Sequence, residues 1–428
     1  MPFRIAIIGA GPAGCLLARL LQRGDRRISV DVYERDASAN FRSQGGTLDL
    51  HVPTGQKALK EAGLYDAFLK YARFDGEALQ VTDDKLLRYI SIGGGDKKGS
   101  TNGRPEIDRE KLQLILREGL EEGTVNWDSK LVRVDDDLTL HFADGRAESG
   151  FDLVVGADGA WSKARRVLSS DRPYHGGIGG YCLTIRDVEK RKPDLYKLVN
   201  RGSLFCFGQG KSIGAQYLGD GSLDIRTWFV QSEGWQERAE FDVSDATAVK
   251  SAIQRDFASW DSRLLDLVRE AADTVRPVDL YMLPIGSKWE HKPKITLIGD
   301  AAHLMLPFAG EGANLALHDS MQLGKAILNA AREHTWDARG GEEPAHDQDI
   351  GYLLDRNVES FETEMFKLAE TNQQVSYNMK NITFNSGPIR WNIERFILTA
   401  ARDVIGPIGT ILLTPLVYAY FFIFRLIW

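Results

Sequence analysis

The chain has 428 residues, enough for two to three domains or one large two-part enzyme, and its balance of 43% hydrophobic and 26% charged residues excludes a disordered or fibrous protein. Lys+Arg 53 against Asp+Glu 60 leaves a net charge of −7, with no basic surface that would point to nucleic acid. Eight histidines show no ligand-like spacing, and Cys15, Cys182 and Cys206 stand far apart, so neither a metal site nor a disulfide framework is expected, and a reducing, intracellular compartment is.

Phe3–Ile8 is a short apolar run that enters glycines directly, which predicts a buried strand rather than a secretory signal. Pro12–Arg23 predicts a helix with proline in its first turn, and Ser29–Tyr33 a second strand, giving a βαβ opening. A helix follows near Pro53–Gly63. Asp108 is expected to cap a helix whose apolar period is Leu112, Ile115, Leu116 and Leu120. Short strands fill Val125–Phe142, and Phe151–Val155 is another buried strand.

From about Arg172 to Arg276 strand-like pieces (Gly180–Val188, Ser203–Phe207, Gly214–Leu218, Leu223–Val230) precede two helical stretches, Ala246–Phe257 and Ser262–Ala271. Strands return at Val278–Pro284 and Lys294–Ile298, followed by helices at about Gly312–Ala331 and Tyr352–Tyr377. The reading is α/β: a Rossmann-like dinucleotide-binding domain (1–75, 100–171 and 277–335), an inserted β-sheet substrate domain (76–99 and 172–276), C-terminal helices (336–388) and a hydrophobic tail (389–428). Val404–Phe424 holds 21 residues without a charge, roughly 31 Å as a helix against a bilayer core of roughly 30 Å. Membrane association through 404–424, spanning or embedded, is expected; the alternative is a buried or hairpin-forming segment, because Pro407 and Pro415 interrupt a simple helix.

Three motifs carry chemistry. Gly9-Ala10-Gly11-Pro12-Ala13-Gly14 lies between a strand and a helix: Gly9 permits the tight turn, Gly11 lets backbone approach a pyrophosphate, and Gly14 allows close helix–strand packing. Glu34 ends the second strand, where a carboxylate can accept from ribose hydroxyls. Gly156-Ala157-Asp158-Gly159 delivers an acid at a strand's carboxyl end, though an ordinary capped turn would read the same way. Gly299-Asp300-Ala301-Ala302-His303 leads through Pro307-Phe308-Ala309-Gly310-Glu311 into a helix at Gly312-Ala313-Asn314, whose first N–H groups form a ready anion site for the N1/O2 edge of a reduced flavin. Asp300 can accept from a ribityl hydroxyl. His303 is expected to be structural, since no carboxylate partner stands at a fixed spacing.

In this order and at these separations the motifs resemble the class A flavin-dependent monooxygenases, of the para-hydroxybenzoate hydroxylase fold, over roughly residues 3–380. Within that group the chain looks most like the tetracycline-inactivating monooxygenases, through Arg42-Ser43-Gln44-Gly45-Gly46-Thr47-Leu48-Asp49-Leu50-His51, Pro105-Glu106-Ile107-Asp108-Arg109 and the Gly299–Asn314 segment. The resemblance implies FAD as cofactor and NADPH or NADH as electron donor. Glu34 and Arg35 would face the adenosine part, Arg42 would lie near the nicotinamide or the flavin, and Gly46, Asp49 and Arg109 would bind FAD. Asp158 and Gly159 would serve both nucleotides, Asp300 the ribityl and pyrophosphate region, and Gly312 and Ala313 the ring. Plainer readings stand beside these: a helix-face ion pair for Arg109, a strand-end turn for Asp49, a solvated loop charge for Arg42.

The reaction implied is insertion of one oxygen atom from O2, through a C4a-hydroperoxyflavin, into an electron-rich aromatic, polycyclic or alkene molecule, as a step of secondary metabolism catalysed by a monomer. No catalytic side chain is assigned. The polar groups that hold tetracycline in the resembled group have no convincing counterpart among Thr184, Ser203 and Asp224. Tyr181, Phe205, Phe207, Tyr217, Trp228 and Phe229 either line a pocket or form sheet core. A halogenase or isoprenoid reductase of the same fold is the alternative enzyme, the former disfavoured because no tryptophan stands in a WxWxIP segment; a non-catalytic, membrane-tethered dinucleotide-binding regulator is the alternative of another class.

Overall fold

The computed structural model describes residues 3–39, 45–93, 103–338 and 350–427. Five parallel strands form the first sheet, in the spatial order Ile295–Leu297, Leu153–Gly156, Phe3–Ile8, Ile28–Tyr33 and Val125–Asn126. A parallel sheet is covered on both faces, so its central strands are unbroken apolar runs rather than alternating ones. Ile5, Ala6, Ile7, Leu153, Val154 and Val155 accordingly lose nearly all contact with solvent. The helices Pro12–Gly24 and Gly312–Ala338 cover one face through Leu16, Leu17, Leu21, Leu317 and Met321.

The second sheet has seven strands, ordered Arg276–Met282, Tyr174–Ile185, Leu223–Val230, Lys211–Tyr217, Ser203–Gly208, Leu79–Asp83 and Arg88–Ile92. It is antiparallel except where Ser203–Gly208 runs beside Leu79–Asp83. Helices Pro193–Val199, Ala246–Asp256 and Ser262–Arg269 cover one face. Asp245 and Asp261 cap the last two, accepting from the N–H groups of Thr247 (2.8 Å) and Arg263 (3.0 Å). Phe257 is wholly buried there, edge-on to Phe229 and Trp260; truncating it to alanine would cost about 3–5 kcal/mol.

Three details depart from the sequence reading. Arg276–Met282 bonds to Tyr174–Ile185 and so extends the second sheet, across the boundary set at 277. Asp108 precedes the helix Arg109–Glu118 without capping it; its two carboxylate oxygens instead accept from the Gly219 N–H at 3.0 Å, which ties this helix start to a hairpin of the second sheet. The C-terminal helix Ile393–Ile427 runs through Pro415 and bends only at Gly406 (φ 68°, ψ 174°), a left-handed backbone that glycine adopts without strain.

Candidate active site

The glycine-acid turns meet at the carboxyl ends of the parallel strands, where open α/β sheets bind ligands. Gly9 holds φ +105°, and a Cβ there would lie 2.4 Å from the Ala157 carbonyl oxygen. A Cβ on Gly14 would stand 2.0 Å from the Gly9 oxygen. The first turn is therefore pressed against both its own helix and the Asp158 turn, and only hydrogen fits at either contact. The third turn joins them: a Cβ on Gly299 would sit 3.4 Å from Ala13 and 3.2 Å from Ala316, and Ser320 Oγ donates to the Ala13 carbonyl at 2.8 Å. By contrast, a Cβ on Gly11, Gly159 or Gly312 would meet no heavy atom within 4 Å. Bare backbone thus faces open space at one position of each motif, which is the cradle a dinucleotide needs.

The carboxylates are held in different ways. Glu34 accepts from the N–H groups of Ala10 (2.8 Å) and Asp36 (3.0 Å), which locks the second strand's end to the glycine turn, while Arg35 beside it is exposed. Asp158 Oδ2 accepts from the Lys163 N–H at 2.6 Å; Oδ1 is buried without a partner, and burial raises the carboxyl pKa above its usual range. Asp300 is exposed by surface area, yet the protein around it raises its pKa by desolvation, with His303, Arg109 and Arg165 pulling the other way. A group open to solvent but surrounded by protein lines a deep concavity. Arg109, whose Nε is buried without a partner, faces that carboxylate. Arg42 lies outside the described residues.

Several residues of the site were not anticipated. Arg165 is buried and donates to the carbonyls of Ala301 (2.9 Å) and Ala160 (2.6 Å), so one guanidinium bolts the second turn to the third. Asp319 accepts from His303 Nε2 at 2.6 Å and from the Gly299 N–H at 2.9 Å. The expectation that His303 lacks a carboxylate partner is thereby corrected, and its bracing of the Asp300 turn explains its burial. His51 lies between Asp49 (Nε2–Oδ2, 2.9 Å) and Glu311 (Nδ1–Oε1, 3.1 Å). Burial works against its charge, but the hydrogen bonds it donates to Asp49 and Glu311, with their negative charge, outweigh it, and the imidazole pKa is pushed up to about 9. Asn314 completes the joint, accepting from the His51 N–H (2.8 Å) and donating to the Asp49 carbonyl (2.9 Å). Asp49 thus serves the loop before Gly312 through its neighbours.

The second sheet supplies the opposite wall. Arg226 Nε donates to Asp224 at 2.8 Å, and its Nη2 lies 2.6 Å from where a Gly46 Cβ would be, with Arg109 Nε at 3.8 Å from the same point. Gly46 (φ +95°) is therefore required for the close approach of two guanidinium groups. Deeper in the joint, Glu106 bonds Arg73 (2.8 Å) and Ser203 (3.3 Å), and burial pushes its carboxyl up to about 8 against the Arg73 charge. Of the aromatic residues in the insert, Tyr181 and Phe229 point into the helix-covered core. Trp228 instead clusters with Phe384 and Phe308, whose rings are 5.2 Å apart, and Phe308 belongs to the loop preceding Gly312.

These residues fit FAD: glycine backbone is open at one position of each of three turns that pack on one another, and the Asp300 carboxylate beside them lies within the field of Arg109. Comparison with known proteins agrees. The model of a family described as "FAD binding domain" matches residues 3–339. Monooxygenase penA of Penicillium thymicola is 29% identical over 385 residues, covering 76% of this chain and 84% of that protein. Among solved structures, Klebsiella pneumoniae HpxO complexed with FAD and uric acid superposes with a TM-score of 0.71 at 19% identity, covering 96% of this chain and 97% of that one. The tetracycline destructase Tet(51) gives 0.65 at 19% identity, covering 96% and 98%. The fold is that of the class A flavin monooxygenases.

Proposed function

This chain belongs to the FAD binding domain family and is an FAD-dependent enzyme of the monooxygenase class, and on that premise we propose that it uses NADPH or NADH and O2 to oxygenate an electron-rich, largely apolar small molecule. The observation that carries this reading is that the three turns pack on one another, Gly9 against Ala157 and Asp158 and Gly299 against Ala13 and Ala316, while the Gly11, Gly159 and Gly312 backbones are open. When bound, FAD would supply reduction by the nicotinamide and activation of O2.

The protein's part is binding, orientation and exclusion of water. The N–H groups at the start of Pro12–Gly24 would hold the pyrophosphate, and Glu34 the adenosine ribose through the lone pairs left by Ala10 and Asp36. Asp300 and Arg109 would hold the ribityl and phosphate region, and Asp158, bonded to the Lys163 N–H, would fix the turn that presents the Gly159 backbone. The first N–H groups of the Gly312–Ala338 helix would stabilise negative charge on the ring. The His51–Glu311 pair keeps that helix start in place. Phe308, Trp228 and Phe384 form an apolar wall for the substrate, while Asp224 and Arg226 offer a polar end that orients it. We place the reaction among tailoring steps on aromatic, polycyclic or alkene natural products by fold analogy alone.

The test is direct. Purified protein is expected to be yellow and to oxidise NADPH faster when a suitable phenol, indole or alkene is present, with a product heavier by one oxygen atom. A colourless protein that takes up no FAD on reconstitution refutes the proposal.

A further inference from the structure

The C-terminal helix bends back on itself. From Ile393 it leaves the body of the protein, turns at Gly406, and returns so that Arg425 pairs with Glu394 and donates to the Arg390 carbonyl at 2.7 Å. Phe421 is buried against Ile389 and Ile393, and Phe424 meets Tyr89 with ring centroids 5.7 Å apart. One face of the returning limb is thus docked on the second sheet's edge. The other face is not: Ile408, Ile411, Leu412, Leu416, Phe422 and Leu426 are each 63–75% exposed. Their spacing of three, four and six residues places them on the side opposite Val417, Phe421 and Phe424. Only 6% of the apolar window in Ile408–Ile427 is buried. A water-facing helix would carry charges there, and between Val404 and Phe424 there are none.

We propose that this hairpin docks on an anionic lipid bilayer and lies within one leaflet rather than spanning it. Two observations fix the orientation. The apolar limb Ile408–Ile427 is by itself long enough to cross, but its end is tied to the body by Arg425–Glu394, so the reach of the bend is set by the outward limb, residues 393–405, about 20 Å at about 1.5 Å per residue against a roughly 30 Å hydrocarbon core. Both ends of the uncharged run also adjoin charge, one at the exposed Arg402 before the bend and the other at the Arg425–Glu394 pair fixed to the body. An apolar helix with polar ends and one docked face belongs in the plane of the interface. The charge selects the lipid: residues 389–428 hold Arg390, Arg395, Arg402 and Arg425 against Glu394 and Asp403, a surplus of two positive charges on a chain whose net charge is −7. Trp391, 65% exposed at the base of the hairpin and 5.2 Å from the Arg425 guanidinium, sits at the level of the headgroups.

The full chain, carrying a C-terminal epitope, is mixed with vesicles of phosphatidylcholine alone or with phosphatidylserine and floated through a density gradient. Flavin content is read separately in every fraction, so that failure of docking and failure of the flavin reading are distinguished. The protein is expected to float with the mixed vesicles, less with phosphatidylcholine alone, and its epitope to stay open to added protease. The variant carrying Ile408→Asp, Ile411→Asp, Leu412→Asp and Leu416→Asp is expected to keep its flavin while its floated fraction falls about tenfold or more. Wild-type protein that stays at the bottom of both gradients overturns the proposal. So does protection of the epitope, which would mean a span. Equal flotation of the variant, or a lipid-free wild-type dimer that the variant dissolves, overturns it as well, the latter by making the apolar face a contact between copies.

Discussion

His51 makes the sharpest physical prediction, because its two ring nitrogens are both committed to carboxylates, Asp49 beside it in the chain and Glu311 on the loop before Gly312. Its pKa of about 9, against about 6.5 for a free imidazole, means that the folded protein binds a proton more tightly than the unfolded chain. The sign follows: the stabilisation is complete below about pH 6.5 and is lost as pH rises through about 9. A shift of this size corresponds to about 3 kcal/mol at most. The perturbation is His51→Gln, which keeps hydrogen-bonding capacity but cannot carry the charge. The assay is the thermal midpoint of the wild type and variant between pH 6 and 10. At roughly 2 °C per kcal/mol for a large chain, the wild type should exceed the variant by several degrees at pH 6 and converge on it near pH 10. Parallel curves, with no convergence, would show that His51 is neutral in the fold and that the Asp49–His51–Glu311 joint is not ionic.

The remaining predictions concern the cradle itself. Gly14→Val forces atoms into the Gly9 carbonyl, so the opening helix must shift; flavin should be lost on purification, and a variant with wild-type flavin content would show that the first turn does not bind it. Asp300→Ala removes a charge-assisted acceptor of about 1.5–3 kcal/mol, a weakening of FAD affinity by roughly ten- to a hundredfold in a fluorescence titration; unchanged affinity sinks the assignment. Arg165→Met leaves the Ala160 and Ala301 carbonyls without their donor, for an expected loss of about 2–3 kcal/mol in stability by urea denaturation. Unaltered stability would mean that the two turns are held together by packing alone.

What could be read from the sequence was what local sterics dictate. A position where any Cβ would lie 2.4 Å from a neighbouring carbonyl oxygen leaves its mark as a glycine, and a strand buried on both faces leaves its mark as an apolar run. The three turns and the α/β architecture were therefore legible. Arg165, Glu311 and Arg226 were not, because each gains its meaning from a partner brought close only by the fold: the Ala301 carbonyl, His51 and the Gly46 backbone. Asp319 did leave a signal. It is a lone acid inside the apolar stretch Leu315–Leu323, on a helix face that must be buried, and such a charge requires a partner. The tail was legible in composition but not in shape. Two prolines suggested where the helix would break, yet it is Gly406, with its freedom to take a positive φ, that sets the bend.

The Asp300–Arg109 pair shows why the cleft must be considered together with what fills it. Asp300 is solvent-exposed, yet its carboxyl is raised because protein rather than water supplies most of its surroundings. Arg109 is depressed by burial and by the like charge of Arg226, with Asp300 and Asp224 opposing. Neither charge is fully compensated across the open cleft. A group carrying hydroxyl donors toward Asp300 and anionic oxygens toward Arg109 would satisfy both at once. A ribityl chain joined to a phosphate has that order of groups, whereas a neutral apolar molecule would bury both charges without compensation and meet a penalty of several kcal/mol. On the proposed assignment, the polar floor of the cleft selects the nucleotide and leaves the apolar cluster of Phe308, Trp228 and Phe384 for the substrate.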